Sequence, residues 1–312
     1  AAETGRDVHD IVATATERLG AIGVESAEKV ADGEAIAAAA WDVVIGDRAT
    51  APSLGCPILD EVFGPTLVPG RWSVYAARPA EGKTAIALNV LWTLANLGHG
   101  CMFLSMEQPM AQLAARICAI DGAARFGRIM DRPARVKPTD WHGRAELDRI
   151  RETCERIATV PLCIDDTSSM SLAYIRSRLV RQAAAMERAG RPLEYVALDF
   201  IQRARMPSAD NRATSISLFC AGLADICRDL KIAMLALSQI NREADKRATM
   251  RVTMGDMKDS GGIEENADVI LGIWRPGRSD NAMADETTTI SRIKNKFGGE
   301  GRWDLEWEGH YL

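Results

Sequence analysis

The stretch WSVYAARPAEGKT (72–84) decides the fold, because it joins an apolar strand to the start of a helix through a loop rich in small residues. This order is the one a phosphate-binding loop requires, although Ala77 replaces the usual first glycine. Backbone N–H groups of the loop are expected to wrap phosphate oxygens. Lys83 is expected to reach the β- and γ-phosphates, and Thr84 to ligate Mg²⁺. The predicted nucleotide-binding residues are Ala77, Arg78, Pro79, Ala80, Glu81, Gly82, Lys83 and Thr84.

Strands and helices alternate on both sides of this loop, which predicts an α/β fold. The predicted strands span 72–77, 100–106, 161–165, 195–200 and 232–238, and the predicted helices span 83–97, 109–120, 172–189 and 211–230. Apolar strands joined by helices indicate a parallel sheet covered on both faces. The last predicted strands, 268–274, 287–296 and 302–307, have no long helices between them, and Phe297-Gly-Gly-Glu300 is suited to a hairpin turn. We therefore expect a mainly parallel sheet with antiparallel strands at the C-terminal end.

The first 50 residues differ in composition from the rest. Residues 6–20 have apolar residues at helical spacing, and an alanine-rich stretch runs from about 26 to 44. We predict two parts: an N-terminal linker helix with a connecting helical segment over 1–50, and the α/β domain over 51–312. The chain begins with Ala1, as expected of a processed chain or a piece of a longer one, and its first ten residues do not resemble a secretory leader.

Composition excludes several classes of protein. The 312 residues are 47% hydrophobic and 26% charged, which excludes a disordered chain and a minimal disulfide scaffold. Charged residues interrupt every apolar run before the roughly 20 residues that a membrane span needs, so no membrane association is expected. The net charge of −5 does not predict nucleic-acid binding, although a local basic patch would suffice for it. Seven cysteines without metal-ligand spacing indicate reduced thiols and a cytoplasmic location.

Polar side chains follow three of the apolar strands. Asp199 ends the strand YVALDF and is placed to hold Mg²⁺ through a water molecule. Glu107 follows the strand GCMFLSM and is placed to polarise an attacking water. Gln239 follows IAMLALS, and its neutral amide would contact a γ-phosphate without repelling it. Because the carboxyl ends of parallel strands meet at one edge of a sheet, these residues are predicted to surround the phosphates.

The ordered motifs together resemble those of DnaB-type hexameric replicative helicases, over roughly residues 52–312. The motifs are A-R-P-x-x-G-K-T, S-M-E, P-L-x-I-D-D-T, L-D-F-I-Q, L-S-Q-I-N-R, D-x-K-D-S-G-G-I-E-E-N-A-D and K-N-K-F-G-G. The resemblance implies a RecA-like P-loop domain, a homo-hexameric ring with ATP between neighbouring subunits, and single-stranded DNA in a central channel. It also implies 5′→3′ unwinding, and a helicase loader and a primase as partners.

The resemblance also implies catalytic roles for individual residues. The resemblance implies that Glu107 is the catalytic glutamate, Asp199 the Walker B aspartate and Gln239 the γ-phosphate sensor. Lys294 and Lys296 align with a basic pair that reaches the neighbouring subunit's ATP site, where Lys296 replaces the usual arginine. Alternation puts both lysines on one face of a strand, an arrangement that favours an anion opposite them.

The DNA-binding residues are expected to contact the backbone. Lys258-Asp259-Ser260-Gly261 aligns with the family's DNA-backbone loop, usually Arg-Glu-Ser-Gly. Arg203 and Arg205 are further candidates. Aromatic residues make up only 5% of the chain, which disfavours base stacking as the main binding mode. The family's N-terminal helical collar domain has no counterpart in these residues.

Two other functions remain open from the sequence. One is a RecA-like recombinase or DNA-dependent ATPase without processive unwinding. The other is a ring-forming scaffold that binds DNA and hydrolyses little ATP. Lys83, Glu107 and Asp199 together argue against the scaffold, and the K-D-S-G-G-I-E-E-N-A-D and K-N-K motifs argue against the recombinase.

Overall fold

The computed structural model describes residues 32–44, 51–131, 141–240, 252–257, 260–275 and 287–306. Its helices are α1 (Gly33–Val44), α2 (Pro57–Phe63), α3 (Lys83–Asn96), α4 (Met110–Asp121), α5 (Phe126–Asp131), α6 (Trp141–Ile157), α7 (Leu172–Arg188), α8 (Arg212–Leu230) and α9 (Ser260–Asn266). Its strands are β1 (Trp72–Ala77), β2 (Gly100–Ser105), β3 (Leu162–Asp165), β4 (Leu193–Asp199), β5 (Ala233–Gln239), β6 (Val269–Trp274), β7 (Thr287–Asn295) and β8 (Gly301–Glu306). The predicted linker helix over 6–20 lies outside the described residues.

All eight strands form one sheet in the order β3-β2-β4-β5-β1-β6-β7-β8. Strands β1 to β6 pair in parallel, and β7 and β8 are added as an antiparallel hairpin on the β6 edge. The predicted mainly parallel sheet with antiparallel strands at its C-terminal end is therefore confirmed. Since β1 lies between β5 and β6, the loop that follows it opens near the middle of the sheet.

Both faces of the sheet are buried, because neighbouring residues of the central strands enter different core layers. In β1, Val74 packs in the layer that contains α8, whereas Tyr75 packs in the layer that contains α3. Every residue of β1 is buried. This accounts for the continuous apolar runs in the sequence, as opposed to the alternation of a half-exposed strand.

Two of the long helices begin at residues whose side chains cap them. Ser171 accepts a hydrogen bond from the backbone N–H of Tyr174 at the start of α7. Asn211 does the same for Thr214 at the start of α8, at 2.8 Å. Such side chains replace partners that the first backbone N–H groups of a helix lack. The starts predicted at about 172 and 211 therefore agree with the observed ones to within one residue.

Four of the described helices were not predicted from the sequence: α2, α5, α6 and α9. Helix α6 is strongly polar, and it packs on the end of α4 mainly through polar contacts. Thr153 and Arg156 both bond to the Asp121 carboxylate, at 2.7 and 2.8 Å. Its apolar residues nevertheless recur at helical spacing, at Leu147, Ile150, Cys154 and Ile157, so the sequence does contain the pattern of an amphipathic helix here. Among the described residues, no helix has the length and apolar character needed to cross a membrane.

Candidate nucleotide site

The loop between β1 and α3 has the backbone geometry of a phosphate cradle. Gly82 directly precedes α3 and has a φ of 91°, in the left-handed region that favours glycine. Ala77 ends β1 and is fully buried in the core layer that contains α3, so the methyl group that replaces the usual glycine hydrogen has a packed environment. Lys83 and Thr84 form the first turn of α3, whose free backbone N–H groups suit an anion.

Thr84 and Asp199, 115 residues apart in sequence, are in direct contact. The Thr84 hydroxyl donates a 2.7 Å hydrogen bond to Asp199 Oδ2. The Asp199 side chain is fully buried, and its Oδ1 has no hydrogen-bond partner among the described residues. Burial raises the pKa of Asp199, while the Thr84 hydrogen bond and the charge of Lys83 oppose that rise. A hydroxyl oxygen beside a carboxylate oxygen with free lone pairs is a donor set that fits Mg²⁺.

Glu107 lies next to this pair at the same edge of the sheet. It follows β2, where Ser105 is level with Asp199 and the backbone N–H of Met106 donates to the Asp199 carbonyl at 2.7 Å. The Glu107 side chain is exposed, and its charge contributes to the raised pKa of Asp199. The buried carboxylate is therefore placed to bind a cation, and the exposed one is placed to contact water.

Arg116 on α4 is a charged group near the site that the sequence reasoning missed. Its Nε donates to Gln108 Oε1 at 3.0 Å, and its guanidinium lies 4.4 Å from the centre of the Phe126 ring. Burial lowers the pKa of Arg116, and the charge of Asp199 opposes that shift. The sequence signal that could have identified Arg116 is its helical spacing from Leu113, which puts an arginine on the buried face of a mainly apolar helix.

Gln239 ends β5 beside the phosphate loop. It is level with Ala77 in the β1–β5 pairing, and its side chain is half-buried. The structure therefore brings the loop, Asp199, Glu107 and Gln239 to the carboxyl edge of four adjacent strands. This is the edge at which parallel α/β sheets bind ligands.

Lys294 and Lys296 lie at the opposite edge of the sheet. In the β6–β7 pairing Lys294 is level with Ile270, and Lys296 lies beyond the end of β7. The ammonium group of Lys294 donates to the Glu264 carbonyl, and that of Lys296 lies 3.1 Å from Asp268 Oδ1. Burial, followed by the charge of Lys296, lowers the pKa of Lys294. Both lysines thus have partners within the subunit, and the Asp268 carboxylate is an anion beside Lys296.

The structure describes only some of the predicted DNA-binding residues. Arg203 and Arg205 are exposed and follow β4, close to the carboxyl edge of the sheet. Gly261 is exposed in the first turn of α9, and an added Cβ there would meet no atom within 4 Å. Lys258 and Asp259 lie outside the described residues.

An apolar groove of about 510 Å³ lies apart from these residues. It runs between α2, the outer face of α3 and the β7–β8 hairpin, and its lining includes Leu54, Phe63, Ile86, Val90, Ile290 and Leu305. None of the predicted site residues lines it. The candidate nucleotide site, which is defined by its polar contacts, therefore does not coincide with this apolar groove.

The chain is similar to several known proteins. The replicative DNA helicase DnaB of Pasteurella multocida (strain Pm70) is 30% identical over 267 residues, which cover 84% of this chain and 54% of that protein. The chain spans about half the length of the first curated relatives it matches. A solved structure described as an ATPase domain has a TM-score of 0.77 at 23% identity and covers 90% of this chain and 98% of that one.

A solved DnaB-like replicative helicase, described together with its interactions with primase, also has a TM-score of 0.77, at 20% identity. It covers 97% of this chain and 70% of that one. Both likenesses confirm the expected RecA-like P-loop fold. The family model described as the DnaB-like helicase C terminal domain matches residues 55–312. The chain therefore belongs to the DnaB-like helicase C-terminal domain family.

Proposed function

We propose that this chain is the motor of a replicative DNA helicase, which hydrolyses ATP and translocates on single-stranded DNA. The observation that carries the proposal is the buried Thr84–Asp199 contact with its unpartnered carboxylate oxygen, beside the exposed Glu107. A hydroxyl, a buried carboxylate and a water-facing carboxylate at one strand edge are the groups that phosphoryl transfer to water requires. Family membership supports the same function.

In the proposed reaction, backbone N–H groups of the loop and of the first turn of α3, together with the ammonium of Lys83, hold the phosphates of ATP. Thr84 and Asp199 would hold Mg²⁺, which when bound neutralises charge on the phosphate oxygens. Glu107 orients the attacking water and accepts its proton. Gln239 contacts the γ-phosphate through a neutral amide and so distinguishes ATP from ADP.

Lys294 and Lys296 are proposed to act on the nucleotide of a neighbouring subunit. Asp268 bonds to both Trp72 and Lys296, so Lys296 lies level with Trp72. Trp72 is five residues before Ala77, the end of β1. At about 3.3 Å per residue, that is about 16 Å along the strand from the subunit's own phosphate loop. Lys294 bonds to α9, and Lys296 bonds to Asp268. The phosphate loop, by contrast, leads into α3, which lies on the other face of the sheet from α9. A nucleotide shared between subunits satisfies this geometry, which favours a closed homo-hexameric ring.

Single-stranded DNA is proposed to lie in the ring's channel, against Arg203, Arg205, Gly261, Lys258 and Asp259. Arg203 and Arg205 are exposed at the strand edge that carries the nucleotide site. The 5′→3′ polarity, a loader and a primase are extensions of this proposal from the family, as is a cytoplasmic location. The domain division at residue 50 belongs to the same proposal: residues 1–50 link subunits and residues 51–312 form the motor.

A strand-displacement assay tests this function. The chain is incubated with forked DNA, ATP and Mg²⁺, and release of the labelled strand is followed. We expect ATP-dependent release that is lost in Lys83→Ala. DNA-stimulated ATP hydrolysis without strand release would favour the DNA-dependent ATPase instead, and DNA binding without hydrolysis would favour the scaffold.

A further inference from the structure

The side chain of Gln202 is bonded to the backbone of the proposed sensor residue. Gln202 lies in the 3-10 turn Ile201–Arg203 that follows β4, and the sequence reasoning assigned it no role. Its Oε1 accepts a hydrogen bond from the Gln239 N–H at 3.2 Å. Its Nε2 donates to the Gln239 carbonyl at 3.2 Å and to Ser238 Oγ at 2.9 Å. One amide thus occupies both backbone groups of Gln239.

These bonds take the place of a strand partner. The β4–β5 pairing ends at Leu198 and Ala236, so Gln239 has no backbone partner in β4. The Gln202 amide offers an acceptor and a donor to the same residue, as a neighbouring strand would. On its other side, Gln239 pairs with Ala77, and the next N–H, of Ile240, donates to the Ala77 carbonyl at 3.1 Å. Gln239 is therefore held between the phosphate loop and the Gln202 turn.

The same turn also carries an exposed cation, Arg203. Its 3-10 hydrogen bonds, from Arg203 N–H to the Phe200 carbonyl and from Ala204 N–H to the Ile201 carbonyl, make it one compact unit. Arg203 is exposed, and its guanidinium lies 5.9 Å from the centre of the Phe200 ring. The ammonium of Lys83 lies 5.1 Å from the same ring. The Gln239 backbone is thus bonded to a unit that carries Arg203.

We propose that Gln202 is a positioning residue that couples the nucleotide at Gln239 to the DNA affinity of the Arg203 turn. The inference rests on the proposed function, since it needs Gln239 to contact the γ-phosphate and Arg203 to contact DNA. Coupling requires a ligand to interact differently with two arrangements of the linked site. The Gln202 amide is the described contact through which Gln239 acts on the turn.

The test compares single-stranded DNA binding with two nucleotides. Fluorescence anisotropy of a labelled oligothymidylate gives the Kd with ADP and with a non-hydrolysable ATP analogue. Gln202→Leu removes all three hydrogen bonds. Gln202→Glu keeps the size and the acceptor but cannot donate to the Gln239 carbonyl. Gln182→Leu is the matched control, because Gln182 is also half-buried but donates to Cys163 Sγ, away from the site.

We expect the parental protein and Gln182→Leu to show the same ratio of the two Kd values. Coupling between sites is worth about 5- to 150-fold in affinity, so this ratio should be at least about fivefold. In both Gln202 variants it should fall toward one, while the ADP affinity of Gln202→Glu stays near the parental value, because ADP lacks the γ-phosphate that Gln239 is proposed to contact. If Gln202→Leu does not fold, Gln202→Glu decides the result alone.

The remaining outcomes overturn different statements. Folded Gln202 variants that keep the parental ratio overturn this inference and leave the proposed helicase function intact. A ratio lost equally in Gln182→Leu overturns it as well, because the effect would then be a general loss of packing. A parental protein that binds no single-stranded DNA with either nucleotide overturns the proposed function, and the inference with it.

Discussion

Glu107 and Asp199 lie at the ends of neighbouring strands, yet their environments differ. Asp199 is fully buried against Thr84, whereas Glu107 is exposed. A buried carboxylate with a free lone pair suits a cation, and an exposed one suits a water molecule. The two acids therefore have separable roles, which substitution distinguishes.

We expect Glu107→Gln to bind Mg·ATP with near-parental affinity and to turn over about 10²- to 10⁴-fold more slowly, because the amide does not accept the proton from water. Binding is measured with a fluorescent ATP analogue, and turnover by phosphate release. Lys83→Ala should lose nucleotide affinity itself. Glu152→Gln, at an exposed position on α6, is the control. Parental turnover by Glu107→Gln would remove Glu107 from the mechanism.

Asp165, at the end of β3, is expected to contribute to the free energy of unfolding in a defined pH range. Burial raises the pKa of Asp165, but hydrogen bonds from Thr167 and Tyr174 and the charge of Arg178 outweigh it, so the pKa lies below its usual value. The ionised carboxylate therefore stabilises the fold above the usual pKa of about 3.9, and this contribution is lost as the pH falls through the folded-state value.

We expect Asp165→Asn to lower the free energy of unfolding at pH 7 by about 1–3 kcal/mol, as for hydrogen bonds to a charged group. The difference from the parental protein should shrink below about pH 4. Urea melts at several pH values measure this. Asp225→Asn is the control, since Asp225 pairs with Arg228 on the surface and exposed pairs contribute little. A difference that stays constant as the pH falls to about 2 would contradict the assignment.

At the scale of elements, the β7–β8 hairpin determines where the two lysines lie. The predicted hairpin is confirmed, with its turn after Asn295. Arg71 holds the turn by stacking on the Phe297 ring at 3.7 Å, and Arg292 donates to the Gly299 carbonyl at 3.2 Å. The hairpin is thus held on its own subunit. Any contact of Lys294 and Lys296 with a neighbouring subunit therefore depends on movement of their long side chains.

We expect mixed assemblies of two inactive variants to recover ATPase activity in part. One variant is Lys83→Ala, and the other is Lys294→Ala/Lys296→Ala. In mixed rings some interfaces pair an intact phosphate loop with intact lysines, so the activity returns only if the lysines act across the interface. An arginine in this role is worth on the order of 10³-fold or more, and lysine should give less because it lacks the planar fork.

The control for the mixing experiment is unmixed rings of each variant, assembled and assayed in parallel. Subunit exchange is verified with one variant carrying a fluorescent label. Zero activity in assemblies shown to be mixed would argue against action across the interface, and full activity of Lys294→Ala/Lys296→Ala alone would remove both lysines from the mechanism.

At the scale of the whole molecule, the proposed ring depends on contacts between subunits. Residues 1–22, which include the predicted helix over 6–20, lie outside the described residues. We expect their deletion to weaken the oligomer more than it weakens the fold of the subunit, because an apolar helical stripe is stable only when buried against another surface. Analytical ultracentrifugation reports the oligomer, and thermal melting reports the subunit. An oligomer of unchanged size after deletion would place the helix on its own subunit.

The sequence by itself determined the order of the strands and of most long helices, and it predicted which side chains meet at the carboxyl edge of the sheet. The strands and most long helices were predicted to within one or two residues, because alternating elements, caps and the phosphate loop are properties of neighbouring residues. Lys83, Thr84, Asp199, Glu107 and Gln239 could be identified for the same reason, since each follows directly from a strand end or a local motif.

Only the tertiary structure decided which distant side chains meet. The Gln202–Gln239 bonds, the position of Arg116 and the within-subunit partners of Lys294 and Lys296 join residues from separate elements. Their contacts depend on strand order and on which face each helix covers, and no local pattern encodes either. Helix α6 is a different case, because Leu147, Ile150, Cys154 and Ile157 recur at helical spacing and its local pattern is present in the sequence, whereas its bond from Thr153 to Asp121 is not. Hydrophobic periodicity records burial along one element, whereas polar pairing between elements exists only once the sheet order is fixed.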